Sequence, residues 1–261
     1  MSHLLHAAAH ARIVLQALPL ATAPLALQVM LGQLTGRTRK FSFSGDPAVE
    51  QQFSQLPVAE QAAHDLLYGH VHFGIDAPFP ESTLYLTMLR DPIESAVAFY
   101  YLVLSSPAHY LHEILTSNNW DLRALATAQR EELDNPMVRW LNPAPPRRIE
   151  VGCVSRDMLE AAKRNLEERY LFGLTERFDE SLLLFRRTLG WSDVTYAHLG
   201  TPPESRHADS IDPKTLRLIR DSSGLDLELY EFASKLFDRR LAEVCPDLET
   251  QLADFRSQNN A

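Results

Sequence analysis

Seven consecutive residues, Thr83-Leu84-Tyr85-Leu86-Thr87-Met88-Leu89, carry no charge and are nearly all apolar or β-branched. A strand with one wet face alternates apolar and polar residues. An unbroken run of this length reads instead as a strand covered on both faces. Directly after it, Arg90 is followed by Asp91-Pro92, an N-cap and a first-turn proline that open a helix reaching about residue 103. A second buried strand, Tyr170–Leu174, lies between a helical pattern over 155–169 and another over 178–189 that Gly190 closes. Strands separated by helices predict an α/β fold, with a mostly parallel central sheet flanked by helices.

Shorter signals fill in the rest. Residues 13–18 read as a first strand and 26–34 as the helix after it. Asp46-Pro47 opens a helix, 58–67 continues as one, and 68–73 reads as a short strand. Residues 120–132, 136–141, 213–220 and 225–244 read as helices, and Arg37 to Lys40 as a small solvated basic cluster.

Composition narrows the function classes. A chain of 261 residues that is 45% hydrophobic is long enough for one domain, 1–261, with a substantial core. A net charge of −9 argues against nucleic-acid binding, which needs a basic face. Cys153 and Cys245, with no CxxC, offer neither a zinc site nor a disulfide framework. No charge falls between Arg12 and Arg37, so residues 13–31 are long enough to consider for membrane contact. Gln16, Pro19, Pro24 and Gln28 interrupt that stretch, and no basic segment with a cleavage site precedes it. The expectation is a strand, turn and helix at the edge of the core of a cytoplasmic protein, with membrane association through 13–31 as the alternative.

Arg90 is the first candidate for chemistry. Ligands of open α/β sheets collect at the carboxyl ends of the strands. There, the helix from Pro92 is expected to present unpaired backbone N–H groups, and Arg90 to add a planar charged fork suited to phosphate. The competing reading pairs Arg90 with Asp91 or another carboxylate. Upstream, Tyr68-Gly69-His70-Val71-His72-Phe73 places two histidines on an extended segment, pointing to opposite faces, so only one can face a cleft. A neutral imidazole there could take a proton from an attacking hydroxyl. No third metal ligand lies nearby, so no metal is expected.

Four blocks together resemble the sulfotransferase family that includes heparan sulfate 2-O-sulfotransferases and their bacterial relatives. They are Tyr68-Gly69-His70-Val71-His72-Phe73-Gly74; Leu89-Arg90-Asp91-Pro92-Ile93-Glu94 with Phe99-Tyr100-Tyr101; Ala161-Ala162-Lys163-Arg164-Asn165-Leu166 through Leu171-Phe172-Gly173-Leu174-Thr175-Glu176-Arg177-Phe178-Asp179-Glu180-Ser181; and Asp226-Leu227-Glu228-Leu229-Tyr230-Glu231-Phe232-Ala233. The resemblance implies a P-loop-like three-layer α/β fold. It also implies 3′-phosphoadenosine 5′-phosphosulfate as co-substrate, no metal, and a hydroxyl acceptor, commonly on a glycan. By the same resemblance, His70 is the general base and Arg90 contacts the 3′-phosphate. Ser95, Pro19 and Thr22 fall on the nucleotide side. His72, Arg177 and an Asn-x-x-x-Arg pair, Asn135 and Arg139, fall on the acceptor side. For Arg177 the competing reading is an ion pair with Glu180 on the following helix.

Two departures stand out. The family's second 3′-phosphate contact, a serine eight residues after the arginine, is Ala98 here, and an arginine five residues along is Ser95. The family's Pro-Lys-Thr-Gly-Gly-Thr loop around the phosphosulfate corresponds to Leu18-Pro19-Leu20-Ala21-Thr22-Ala23-Pro24, without lysine or glycine, so 12–34 is a degenerate strand, loop and helix. Removing one transition-state stabiliser of that kind costs on the order of 10²–10³ in rate. Arg12 and Arg37 are the candidate replacement cations. Two readings follow: an active or weakened sulfotransferase, and a non-catalytic relative that binds nucleotide, glycan or a protein partner.

Overall fold

The computed structural model describes residues 12–19, 24–78, 83–143, 148–191, 194, 196 and 211–259. In chain order these form β1 (Arg12–Gln16), α1 (Pro24–Gln33), β2 (Lys40–Phe43), α2 (Pro47–Gln55), α3 (Val58–Ala63), β3 (Leu66–Gly69) and β4 (Thr83–Leu89). There follow α4 (Pro92–Ser105), α5 (His112–Ser117), α6 (Leu122–Thr127), α7 (Pro136–Trp140), α8 (Arg156–Glu168) and β5 (Tyr170–Leu174). The chain then runs through α9 (Phe178–Leu189), α10 (Pro213–Ser222), α11 (Gly224–Val244) and α12 (Leu248–Asn259).

The sheet has five strands in the order β2-β3-β1-β4-β5, and every neighbouring pair is parallel. Every residue of β1, β4 and β5 is buried, as the unbroken apolar runs predicted. Alternation assigns the layers. Ser181 of α9 lies against Gly173 and Met88, on one face. Arg240 of α11 donates to the Tyr170 carbonyl and sits over the Phe172 ring, on the other. A second apolar cluster, with Val97, Phe99, Val103, Leu111, Leu125 and Ile219, joins α4, α5, α6 and α10 into a helical layer beside the sheet.

From β1 the chain runs to one side of the sheet, through β2 and β3. From β3 it crosses β1 to reach β4 on the other side. The reversal leaves a crevice between the carboxyl ends of β1 and β4, where ligands of open sheets collect.

Some expectations give way. The helix expected over 58–67 ends at Ala63, because Asp65 accepts the Thr38 and Arg39 N–H groups and Leu66 enters β3. That strand stops at Gly69 instead of running to residue 73. The helix expected over 120–132 is confined to α6, and Gln129, at φ +46°, turns the chain after it. The expected membrane-contacting stretch is divided between β1 and α1. Among the described residues, no helix is long and apolar enough to cross a membrane.

Candidate functional site

Gly69 ends β3 at φ +110°, and a Cβ there would lie 2.1 Å from the Phe43 carbonyl oxygen. Only glycine fits both the conformation and the close approach. The next residue, His70, donates its backbone N–H to that same carbonyl at 2.9 Å. Its ring Nδ1 lies 2.8 Å from the Ala17 carbonyl oxygen, just beyond β1. A carbonyl only accepts, so a neutral His70 carries its proton on Nδ1 and leaves the Nε2 lone pair available. The residue is exposed, with its ring edge-on to Trp140. His72, two residues on, is buried, and its Nδ1 pairs with Glu50 of α2 at 2.5 Å. Of the two histidines, His70 is thus the exposed one and His72 the buried one, although the segment leaves β3 at Gly69 and the Val71 N–H turns back to the Gly69 carbonyl.

Arg90 follows β4 at the same sheet edge. The ends of β3 and β4 flank β1, which separates them by about 10 Å at ordinary strand spacing. Arg90 is half-buried and makes no hydrogen bond or ion pair among the described residues. The competing pairing with Asp91 is not formed. Instead, the Asp91 carboxylate accepts N–H groups from Ile93 and Glu94, and its carbonyl accepts that of Ser95. Pro92 has no N–H to give. This corrects the expectation of unpaired donors at the start of α4: an anion here meets the Arg90 guanidinium, not the helix terminus. Glu176, after β5, takes the Asp91 N–H and the Tyr230 hydroxyl, so a carboxylate also stands beside this edge.

Ser95 is buried, and its hydroxyl has no hydrogen-bond partner among the described residues. It lines a small cavity of about 10 Å³ together with Pro19, Pro92, Glu132, Met137 and Asp226. Pro19 and Ser95 thus meet, as two residues assigned to the nucleotide side, while Arg90 does not line this cavity. Thr22 lies outside the described residues. Burial, reinforced by nearby Asp134, pushes the Asp226 carboxyl up to about 7.

The acceptor-side residues are occupied by the fold. Asn135, at φ +49°, accepts the Leu225 and Asp226 N–H groups at the start of α11. Asp226 reciprocates by accepting the Met137 and Val138 N–H groups of α7. Arg139 is 1% exposed and donates to the carbonyls of Asp134, Ile149 and Glu150 and to the Asp134 carboxylate. Its guanidinium belongs to the interior. Arg177 pairs with Glu180 and Asp238 over the Phe237 ring, which is the competing reading weighed for it. Arg12 donates to the Ala62 and His64 carbonyls, and Arg37 lines a pocket with Asp65 and Trp191. Both sit at the opposite edge of the sheet, so neither replaces the missing loop lysine.

Sequence reasoning passed over Gln16, Glu50 and Trp140. Gln16 was available as a signal: a carboxamide inside an otherwise apolar strand demands buried partners.

No family model matches the chain. It is 40% identical to heparan-sulfate 6-O-sulfotransferase 2 of Danio rerio over 85 residues, 32% of this chain and 18% of that protein. Over 186 residues it is 26% identical to the Gallus gallus protein of the same name, 60% of this chain and 44% of that one. Galactose-3-O-sulfotransferase 2 of Homo sapiens is 27% identical over 200 residues, 72% of this chain and 49% of that protein. The chain spans less than half the length of these relatives. The similarity is to sulfotransferases, and it supports that family at large, not its 2-O branch.

Proposed function

We propose that the chain is a sulfotransferase that moves a sulfuryl group from 3′-phosphoadenosine 5′-phosphosulfate to a sugar hydroxyl. The observation that carries this reading is a guanidinium, Arg90, without a partner among the described residues, at the same sheet edge as an imidazole whose Nδ1 is anchored on the Ala17 carbonyl. The nucleotide supplies an activated sulfuryl group and a phosphate that departs as an anion. Arg90 holds a phosphate of the nucleotide through paired charge-assisted hydrogen bonds. His70 takes the acceptor hydroxyl proton on Nε2 as that oxygen attacks sulfur, and the bond from sulfur to the leaving phosphate oxygen breaks. Catalysis of this kind is mostly positioning and electrostatics, by analogy with phosphoryl transfer.

The test is transfer of labelled sulfate from the nucleotide to a panel of glycan acceptors. His70→Ala is expected to abolish transfer while leaving nucleotide affinity near wild type. Retention of full transfer by that variant would remove His70 from the mechanism.

A second reading has its own observation. The loop after β1 has neither lysine nor glycine, and the cations nearest in sequence lie at the far edge. A nucleotide-binding protein without turnover fits that loop. Calorimetric nucleotide binding with no transfer to any acceptor in the panel selects it.

A further inference from the structure

We infer that Gln16, the last residue of β1, is a positioning residue that fixes where the His70 imidazole stands. The inference rests on the reading above, in which His70 is the base. Gln16 is 0% exposed, and its carboxamide makes three hydrogen bonds, two donated and one accepted. The Nε2 group donates to the Val71 carbonyl at 2.8 Å and to the Trp140 carbonyl at 3.1 Å. The Oε1 atom accepts from the Tyr170 hydroxyl at 2.9 Å, and the backbone carbonyl accepts from Thr87 Oγ1 at 2.9 Å. One side chain thereby ties the segment just beyond β3 to the last residue of α7 and to β5. The backbone of the same residue is tied to β4.

Val71 follows His70 directly, and the grip on its carbonyl fixes the Val71–His72 peptide, so the chain is held one residue beyond His70. The imidazole itself rests on the carbonyl of Ala17, the neighbour of Gln16. Both ends of the His70 placement therefore converge on one point of β1. The far end of the segment is held separately. Gly74 donates its N–H to the Tyr85 hydroxyl at 2.9 Å, and that hydroxyl donates to Asp76, which also pairs with Arg169 at 2.6 Å. Among the described residues, only Gln16 grips the Val71 carbonyl. An apolar residue of the same length would pack in the strand and leave the Val71 carbonyl without a donor among the described residues, while the Trp140 carbonyl would keep only the Phe73 N–H at 3.0 Å. The segment would then be freer to rotate about Gly69, and a base displaced by about 1 Å can cost on the order of 10² in rate.

The experiment compares wild type with Gln16→Met and with Tyr170→Phe, which removes only the hydroxyl that holds Oε1. Imidazole ¹⁵N spectra, with His70 assigned through a His70→Gln variant, read the ring directly. Wild type is expected to show the single Nδ1–H tautomer. Gln16→Met is expected to show tautomer averaging, a fall in kcat on the order of 10²-fold, and unchanged affinity for 3′-phosphoadenosine 5′-phosphate. Tyr170→Phe is expected to shift both readouts in the same direction by less, and it serves where Gln16→Met does not fold. Unchanged His70 signals in a folded Gln16→Met protein would overturn the inference. If wild type transfers no sulfate at all, the sulfotransferase reading fails, while the ring spectra still decide the role of Gln16.

Discussion

Arg90 and Arg177 follow neighbouring strands of one sheet, yet only Arg90 is open to an anion. The difference lies in what surrounds each guanidinium: Glu180 one helical turn on and Asp238 of α11 neutralise Arg177, and nothing among the described residues does so for Arg90. Arg90→Ala is therefore expected to weaken binding of 3′-phosphoadenosine 5′-phosphate by about 1.5–3 kcal/mol, the usual worth of hydrogen bonds to a charged group. Arg177→Ala should leave affinity near wild type; calorimetry on both variants checks the contrast. Asp226 carries a pH dependence. Its folded carboxyl titrates near 7, above the ordinary carboxylate value, because burial disfavours the charge. The protonated form is thus favoured by the folded state. The associated stability is fully present below the unfolded value near 4 and is lost as pH rises through about 7. The thermal midpoint of Asp226→Asn, compared with wild type from acid to neutral pH, should lack that decline.

At the scale of elements, close approaches between backbones do the positioning. Gly173 in β5 has Ser181 Cβ and Met88 Sδ within 2.5 and 2.7 Å of where a Cβ would stand, which seats α9 directly on the sheet. Gly173→Ala is expected to cost roughly 1–3 kcal/mol through overpacking, measured by chemical denaturation. Gly69→Ala is expected to act differently. Its added methyl meets the Phe43 carbonyl between two strands at a positive φ, so it should lower transfer as well as stability by displacing His70. Helix starts were legible because they are local: Asp46 and Asp91 both accept N–H groups from the first turn of the helices they were expected to open. The strand β2 was not read. Its Lys-Phe-Ser-Phe run is short and half exposed, and it exists through pairing with β3, which no local pattern encodes.

For the whole molecule, charge bears on the acceptor. The protein carries a net charge of −9, and the described sheet edge near His70 and Arg90 includes Asp46, Glu50, Asp91 and Glu176. A polyanionic glycan approaches such a surface against repulsion that salt screens over about 10 Å at 0.1 M. Neutral galactosides are expected to be better acceptors than desulfated heparin, and transfer to the latter should rise with ionic strength. Initial rates at two salt concentrations test this.

The sequence by itself determined that the chain forms a parallel α/β sheet with Arg90 at a carboxyl end, whereas His70 reached that edge only because β3 stops at Gly69. Strand burial, helix capping and the order of the blocks are all properties of neighbours along the chain. Tertiary structure alone decided which charged groups remain available there. Arg139 and Arg177 are spent on carboxylates and carbonyls, the α4 donors are spent on Asp91, and Gln16 is committed to segments from four other parts of the fold. Pairing depends on distances between residues far apart in sequence, and those distances exist only once the layers have packed.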